Sequence, residues 1–291
     1  MITVTGTWGK NSTDTYQDCE DVMMKYSYAA DPDYDALNSR FANFDGRPEL
    51  PIGRNSYGSY EFGLMRFHPF DYIPYANVQD ARLRVYCTTV RSSPTLYIRR
   101  VFKPWVENEA TYALFNYSVA WGAEPASYGS DSATDDGIYD VTASNYDSVT
   151  PTVTGTWYEF DVTSLVQQWI NKEAKQYGIR LAAATNTYNL GSVIYSSDGP
   201  DGYRPHLKIV YTVDYYFSGV VTDQGSPAAG RTIVAHKRDT FEPIAYTTTS
   251  GDGSYYMLTT YSGSHYIVCL DDDAGAQYND KILGRMVPKK L

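Results

Sequence analysis

The run Trp157-Tyr-Glu-Phe-Asp161-Val-Thr163-Ser-Leu-Val-Gln-Gln-Trp169-Ile-Asn-Lys-Glu-Ala-Lys-Gln-Tyr177-Gly178-Ile-Arg-Leu-Ala-Ala183 reads as strand, short helix, strand. Trp157, Phe160 and Val162 lead in. Thr163 or Ser164 offers a side-chain oxygen to the orphan N–H groups of a helix start, and Gln167 is spaced to reply to Ser164. Val162, Leu165, Val166, Trp169 and Ile170 recur at helical spacing and give one apolar stripe. Lys172 and Lys175 suit the negative end of the helix dipole, and Gly178 suits the left-handed residue that ends it. Ile179 to Ala183 returns to strand. A single amphipathic helix in a chain otherwise full of strand signals predicts a cap over the open end of a β-sandwich, with Trp169 as its plug.

Working outward, Tyr60–Phe67 and Val78–Val90 alternate as strands do. In the second of these, Ala81, Leu83, Val85 and Cys87 face one way, and Arg82, Arg84 and Tyr86 the other. Thr95–Phe102, Val193–Ser197 and Pro205–Thr212 continue the pattern, while 1–25 reads as a short strand, an acidic turn and Val22-Met-Met. About 26–60 and 122–150 lack any period and read as surface insertions. Val-Thr-Gly-Thr-Trp occurs twice, at Val4–Trp8 and Val153–Trp157, too short a match to carry weight.

A second unit begins at 214. Tyr216–Thr222, Thr232–Lys237, Ile244–Thr249, Tyr255–Thr259 and Tyr266–Leu270 are five short strands separated by Gly/Ser/Asp turns, the rhythm of a small antiparallel sandwich. The expected division is therefore 1–213 and 214–291, the larger part carrying the insertions, with no Gly/Pro linker at the join.

The chain has 291 residues, enough for about two cores. Its net charge of -10 disfavours nucleic acid and anionic membrane as partners, which need a positive field. It also disfavours an acidic polysaccharide unless a local basic patch offsets the global charge. Three cysteines are too few for a disulfide framework, and Cys87 and Cys269 read as small buried hydrophobes. The opening Met-Ile-Thr-Val lacks a basic segment followed by an apolar run, and no stretch is long enough to span a bilayer. Synthesis in a cytoplasm without export by the usual secretory route is the expectation.

Several motifs together resemble the disaggregatase-related DNRLRE family, over roughly 60–212. They are Gly63–Phe67, Asp80–Tyr86, Trp105–Tyr112, Trp157–Trp169, Tyr177–Leu181, Tyr195 with the following Ser-Ser-Asp-Gly, and Arg204–Tyr211. The resemblance implies a jelly-roll-like sandwich, grouped with carbohydrate-binding modules, that binds polysaccharide and does no chemistry. Ser218-Gly-Val-Val, Pro227–Val234 and Thr249–Tyr256 are similar to the transthyretin-like or carboxypeptidase-regulatory sandwich, an immunoglobulin/transthyretin-like fold. Tyr266–Asp271 and Gln277–Pro288 resemble the tail of small sandwich domains in tailed-phage virion proteins. Together the resemblances imply an all-β virion protein, expected in a tail appendage, with capsid decoration as the runner-up. Its partners would be other virion proteins, copies of itself in a symmetric array, and a host-surface polysaccharide.

A catalytic constellation is not apparent. His68, His206, His236 and His265 are dispersed without metal-ligand spacing, and no Gly-x-Ser-x-Gly elbow occurs. Glu107 and Glu109, beside Trp105, are the best candidates for a glycosidase pair, with a structural role the stronger reading. No cofactor is expected beyond calcium, for which Asp198 and Asp201 in a Gly/Pro turn offer oxygens; a bare turn explains them too. Sugar binding calls for exposed rings beside polar donors, which points to Tyr139 and Tyr146, to Tyr203 with Arg204, and to Tyr57 and Tyr60. Asp271–Asp273 reads as a solvated loop before the final strand.

Overall fold

The computed structural model describes residues 2–9, 18–26, 41–68, 76–116, 119–120, 146–184, 187–270 and 281–291. In chain order the first strands are β1 (Ile2–Trp8), β2 (Asp18–Tyr26), β3 (Glu49–Arg54), β4 (Tyr60–His68), β5 (Asn77–Arg91) and β6 (Leu96–Arg100). Next come β7 (Leu114–Asn116), β8 (Val119–Ala120), β9 (Asp147–Val149) and β10 (Thr156–Asp161). Then follow helix α1 (Thr163–Ile170), β11 (Ile179–Ala183), β12 (Leu190–Tyr195) and β13 (His206–Val213). The fold is all-β and sandwich-like, with one short helix among the described residues.

Eleven of these strands form one curled antiparallel sheet in the order β1-β13-β5-β12-β3-β4-β11-β6-β9, with β10 also on β5 and β2 also on β4. β5 is its hub because its length lets β13 and then β12 share one edge while β10 takes the other. Ala81, Leu83, Val85 and Cys87 are all buried, as their alternation predicts. Val78 is also buried although its parity is opposite. The register slips by one residue between Val210 and Tyr211, so Gln79 is a bulge that turns Val78 inward.

The main core lies between the β5 half and the β4 half of the curl. It includes Trp8, Leu50, Ile52, Met65, Leu83, Val85, Phe160 and Leu181. Leu165, Val166, Trp169 and Ile170 of α1 join it, so the helix closes this core with Trp169 inside, as expected. A second core covers the far side of β2, β4, β6 and β11. There Phe62, Leu64, Tyr97 and Ala182 pack under Trp105 and Tyr112, and Trp105 Nε1 donates to the Tyr177 carbonyl at 2.7 Å. Apolar cover on both faces explains why β11 is buried at every position.

The remaining strands are β14 (Tyr215–Val220), β15 (Thr222–Asp223), β16 (Ser226–Pro227), β17 (Thr232–Lys237), β18 (Pro243–Thr248), β19 (Ser254–Thr259), β20 (His265–Cys269), β21 (Lys281–Met286) and β22 (Lys289–Lys290). β19-β14-β22 and β18-β17-β20-β21 form two sheets around Phe217, Ile233, Ile244, Met257 and Ile267. Among the described residues no strand pairing joins 2–213 to 215–290.

Several expectations are corrected. The span 26–60 holds β3, whose inward Leu50 and Ile52 belong to the main core, and β3 pairs along its length with β12. Pro51 and Gly53 disguised it. Residues 147–149, expected within an insertion, form β9 against β6. Asp18–Asp21, expected as a turn, begins β2, paired with β4 from end to end. Neither Thr163 nor Ser164 caps α1: Asp161 Oδ1 accepts from Thr163 N–H at 3.0 Å, and Thr163 Oγ1 instead accepts from Ala81 N–H of β5. Gln167 is likewise turned to the Ala76–Val78 backbone. The left-handed residue directly after the helix is Lys172, at φ 59°; Gly178 is left-handed as well, at φ 89°, but stands at the entry to β11. Cys269 is only half-buried: it shares the inward parity of His265 and Ile267 and packs against the smaller core, but it stands at the very end of β20.

Candidate functional site: an aromatic patch beside an acidic set

The outward side chains of β5 and β10 are set by strand parity. Trp157 lies opposite Tyr86, Glu159 opposite Arg84, and Asp161 opposite Arg82, while β13 places His206 opposite Arg84 on the other edge. The result is an aromatic row above a charged one. Tyr86 meets Trp157 edge-on with centroids 5.4 Å apart, stacks on Tyr195 at 5.8 Å, and takes the edge of Tyr203 at 4.6 Å. His206 meets Trp157 at 4.9 Å. Arg84 ties the rows together, its Nε 2.7 Å from Glu159 and its guanidinium 5.0 Å from the Trp157 ring centre. Tyr86, Trp157 and Tyr195 are half-buried and Tyr203 is exposed, so the rings form a surface patch rather than core. Beneath, Arg82 lies between Asp80 and Asp161, and hydrogen bonds from Thr163 hold the Asp161 carboxyl below the usual carboxylate range.

Of the residues expected to bind sugar, Tyr203 stands in this patch, on the turn that Arg204 braces. Arg204 Nε donates to the Gly199 carbonyl at 2.6 Å and its Nη1 lies 2.9 Å from Asp201. Tyr146 does not join them. It packs against the main core, with its hydroxyl 3.3 Å from Gln168 Oε1. Tyr139 lies outside the described residues. Tyr60 donates to the Ala183 carbonyl, and Tyr57 lines a separate cleft. Reading by segment missed Trp157, Tyr86, Tyr195 and His206; the outward positions of the alternating strands were the signal that could have found them.

The residues expected to offer oxygens to a metal have these surroundings. Of the expected pair, Asp201 is engaged by Arg204. Asp198 meets Asp21 and Glu107, with one carboxylate oxygen from each lying within 4.8 Å of the others, a set able to hold a metal ion. Backbone N–H groups orient it: Asp21 N–H donates to Glu107 Oε1 at 2.8 Å, and Ser197 N–H donates to Asp21 Oδ2. Glu107 thus holds β2 in place. Asp271–Asp273 lie outside the described residues.

No known protein family and no curated protein matches the chain. Among solved structures, the T6 backbone pilin of serotype M6 Streptococcus pyogenes is similar at 11% identity and a TM-score of 0.21, over 93% of this chain and 52% of the pilin. The chain spans about half the length of that pilin, and at this TM-score the likeness carries no argument. No helix among the described residues is long and apolar enough to cross a membrane.

Proposed function

We propose that the protein is a non-enzymatic binding and assembly protein whose aromatic patch holds a saccharide. The observation that carries this is the cluster of Tyr86, Trp157, Tyr195 and Tyr203 on the outward side of the hub strand, bordered by Arg84, Glu159 and His206. Aromatic rings offer an apolar surface to the C–H face of a sugar, and polar groups at the border suit its hydroxyls. Binding to immobilised host-surface polysaccharide tests it. Trp157→Ala and Tyr203→Ala should each weaken binding three- to tenfold, the weight of an aromatic contact of about 0.5–1.5 kcal/mol. Unchanged binding in both variants, with the fold intact, removes the patch from consideration.

The setting we propose is a tailed-phage particle, with the protein in a tail appendage as a symmetric homo-oligomer. This part rests on the resemblance of Tyr266–Asp271 and Gln277–Pro288 to virion sandwich domains. Antibody labelling of intact virions by electron microscopy decides the place: label on the icosahedral shell selects capsid decoration. Turnover of a glycan that stops in Glu107→Gln or Glu109→Gln would replace the binding reading with an enzyme.

Calcium is the ion we assign to Asp21, Glu107 and Asp198, because hard cations take carboxylate oxygens. Millimolar calcium should raise the melting temperature of the parent protein and leave that of Asp198→Asn nearly unmoved. An equal rise in both would place the ion elsewhere.

A further inference from the structure

β1 is an end strand of the large sheet. Among the described residues it pairs with β13 alone, in unbroken register from Ile2 opposite Val213 to Trp8 opposite Leu207. In an antiparallel pair alternate residues bond across to the neighbour, so the others aim their N–H and C=O groups away from it. Here they aim along an edge where Ile2, Thr3 and Thr5 are exposed. Proteins usually blunt such an edge with charge, proline, a bulge or brevity. Other end strands of this molecule show these devices. β2 carries Asp18, Glu20, Asp21 and Lys25, β9 has three residues, and β18 opens on Pro243. β21 carries Lys281 and Arg285, both exposed, and a break in register between His265 and Ile267 of its neighbour. β1 has none of them. Its seven residues, Ile-Thr-Val-Thr-Gly-Thr-Trp, hold no charge and no proline, and its pairing has no bulge.

We propose that β1 is the seam of a two-fold dimer, in which the β1 strands of two copies pair antiparallel and join their large sheets into one. This rests on the reading of the protein as a symmetric homo-oligomer and gives that oligomer an interface. Trp8 is buried in the main core, which sets the faces of the strand. Ile2, Val4, Gly6 and Trp8 share the inward side, and Thr3, Thr5 and Thr7 the outward one. Residues opposite each other in an antiparallel pair lie on one face, so two copies of β1 must keep threonine opposite threonine. Centring the two-fold axis on Thr5 uses the whole strand. Thr5 then meets its own counterpart and Thr3 meets Thr7, and threonine pairs across antiparallel strands are favourable. On the inward side Val4 comes opposite Gly6, over which the Trp8 ring lies, and Ile2, 42% exposed, comes opposite Trp8. Both aliphatic side chains gain apolar cover. The seam itself is uncharged, which lets a chain with a net charge of -10 meet itself there. Pairing through β21 would instead gather Lys281 and Arg285 of both copies, like charges that repel. A seven-residue strand alone covers less than the about 1,200 Å2 of a stable interface, so the dimer should form reversibly.

Sedimentation velocity of the full chain over a range of concentrations tests the seam. The chain should pass reversibly from monomer to dimer. Thr5 is exposed, so Thr5→Lys and Thr5→Glu should both fold, with circular dichroism unchanged. Each sets like charges face to face on the axis and should weaken dimerisation at least about tenfold. An equimolar mixture of the two variants should recover the dimer, because opposite charges then meet. Lys281→Glu should leave the dimer as it is. A chain that stays monomeric at every concentration overturns the homo-oligomer reading and the seam with it. Self-association that both Thr5 variants leave intact keeps the homo-oligomer and overturns the seam alone. Variants that dissociate without recovering on mixing overturn the two-fold register, and a dimer lost in Lys281→Glu moves the interface to β21 and overturns the proposal.

Discussion

Gly178 shows how one residue can be held by its neighbours rather than by its own segment. Its φ is +89°, and a Cβ there would stand 2.3 Å from the Met65 carbonyl oxygen, part of the rigid β4 backbone. Gly46 shares the left-handed region, at φ +72°, but a Cβ would meet nothing within 4 Å. Replacing each with Ala therefore separates two costs. Gly46→Ala should lose only the conformational part, about 1 kcal/mol. Gly178→Ala adds a backbone clash that no rotamer relieves and should lose more than about 2 kcal/mol. Urea midpoints at constant slope measure both, and equal losses would show that the close approach to Met65 is not felt. The same dependence on surroundings separates the two copies of Val-Thr-Gly-Thr-Trp. Trp8 ends β1 at 1% exposure in the main core, whereas Trp157 lies outward on β10 in the aromatic patch. Five identical residues do not specify a side of the sheet; the register of the partner strand does.

Elements were legible wherever one face alone meets the core. β5 from Ala81 on and β19 alternate, and α1 carries its stripe at helical spacing, so their types follow from period alone. Legibility failed where a second constraint overrode the period. β3 contains Pro51 and Gly53, which read as breakers, yet Val193 and Gly191 pair opposite them. The start of α1 was misread because its N-cap is Val162, which has no side-chain oxygen, while Asp161 before it accepts from Thr163 N–H and Thr163 Oγ1 turns to Ala81. The candidate site divides in the same way. Tyr203 and Asp198 could be found as polar or aromatic residues in a turn. Their partners Tyr86, Asp21 and Glu107 are remote in sequence and meet them through strand register and the packing of the 101–112 segment. Period fixes which way a side chain points; it does not say which other strand lies beside it.

At the scale of the whole molecule, strand pairing and apolar clustering both divide between Val213 and Tyr215, and Lys172 after α1 is ion-paired to Glu242 across that division. An exposed ion pair such as this contributes about 0–1 kcal/mol, and each part holds an apolar cluster of its own. The two parts are therefore expected to unfold separately, and the sequence supplies a means of telling them apart. All five tryptophans precede residue 214, so tryptophan emission reports the first part alone, while far-ultraviolet circular dichroism reports both. His265 gives the second part its own response to acid. It is fully buried, between Phe217 at 4.5 Å and Tyr261 at 5.2 Å. Burial pushes its imidazole below the ordinary value of 6.5, with the backbone of Gly263 and Met286 working the other way. A depressed histidine stays neutral in the folded state while the unfolded chain takes up a proton. Stability is then unaffected above about pH 6.5 and falls as the pH drops below it toward the folded-state value. Between about pH 6.5 and 5, before most carboxylates titrate, the dichroism transition of the second part should move to lower temperature. The tryptophan transition should not follow it, and His265→Leu should flatten the pH dependence whatever it does to the absolute melting temperature. Coincident transitions in the two probes would mean that the parts unfold as one body, and a slope unchanged in His265→Leu would assign the acid response to another group.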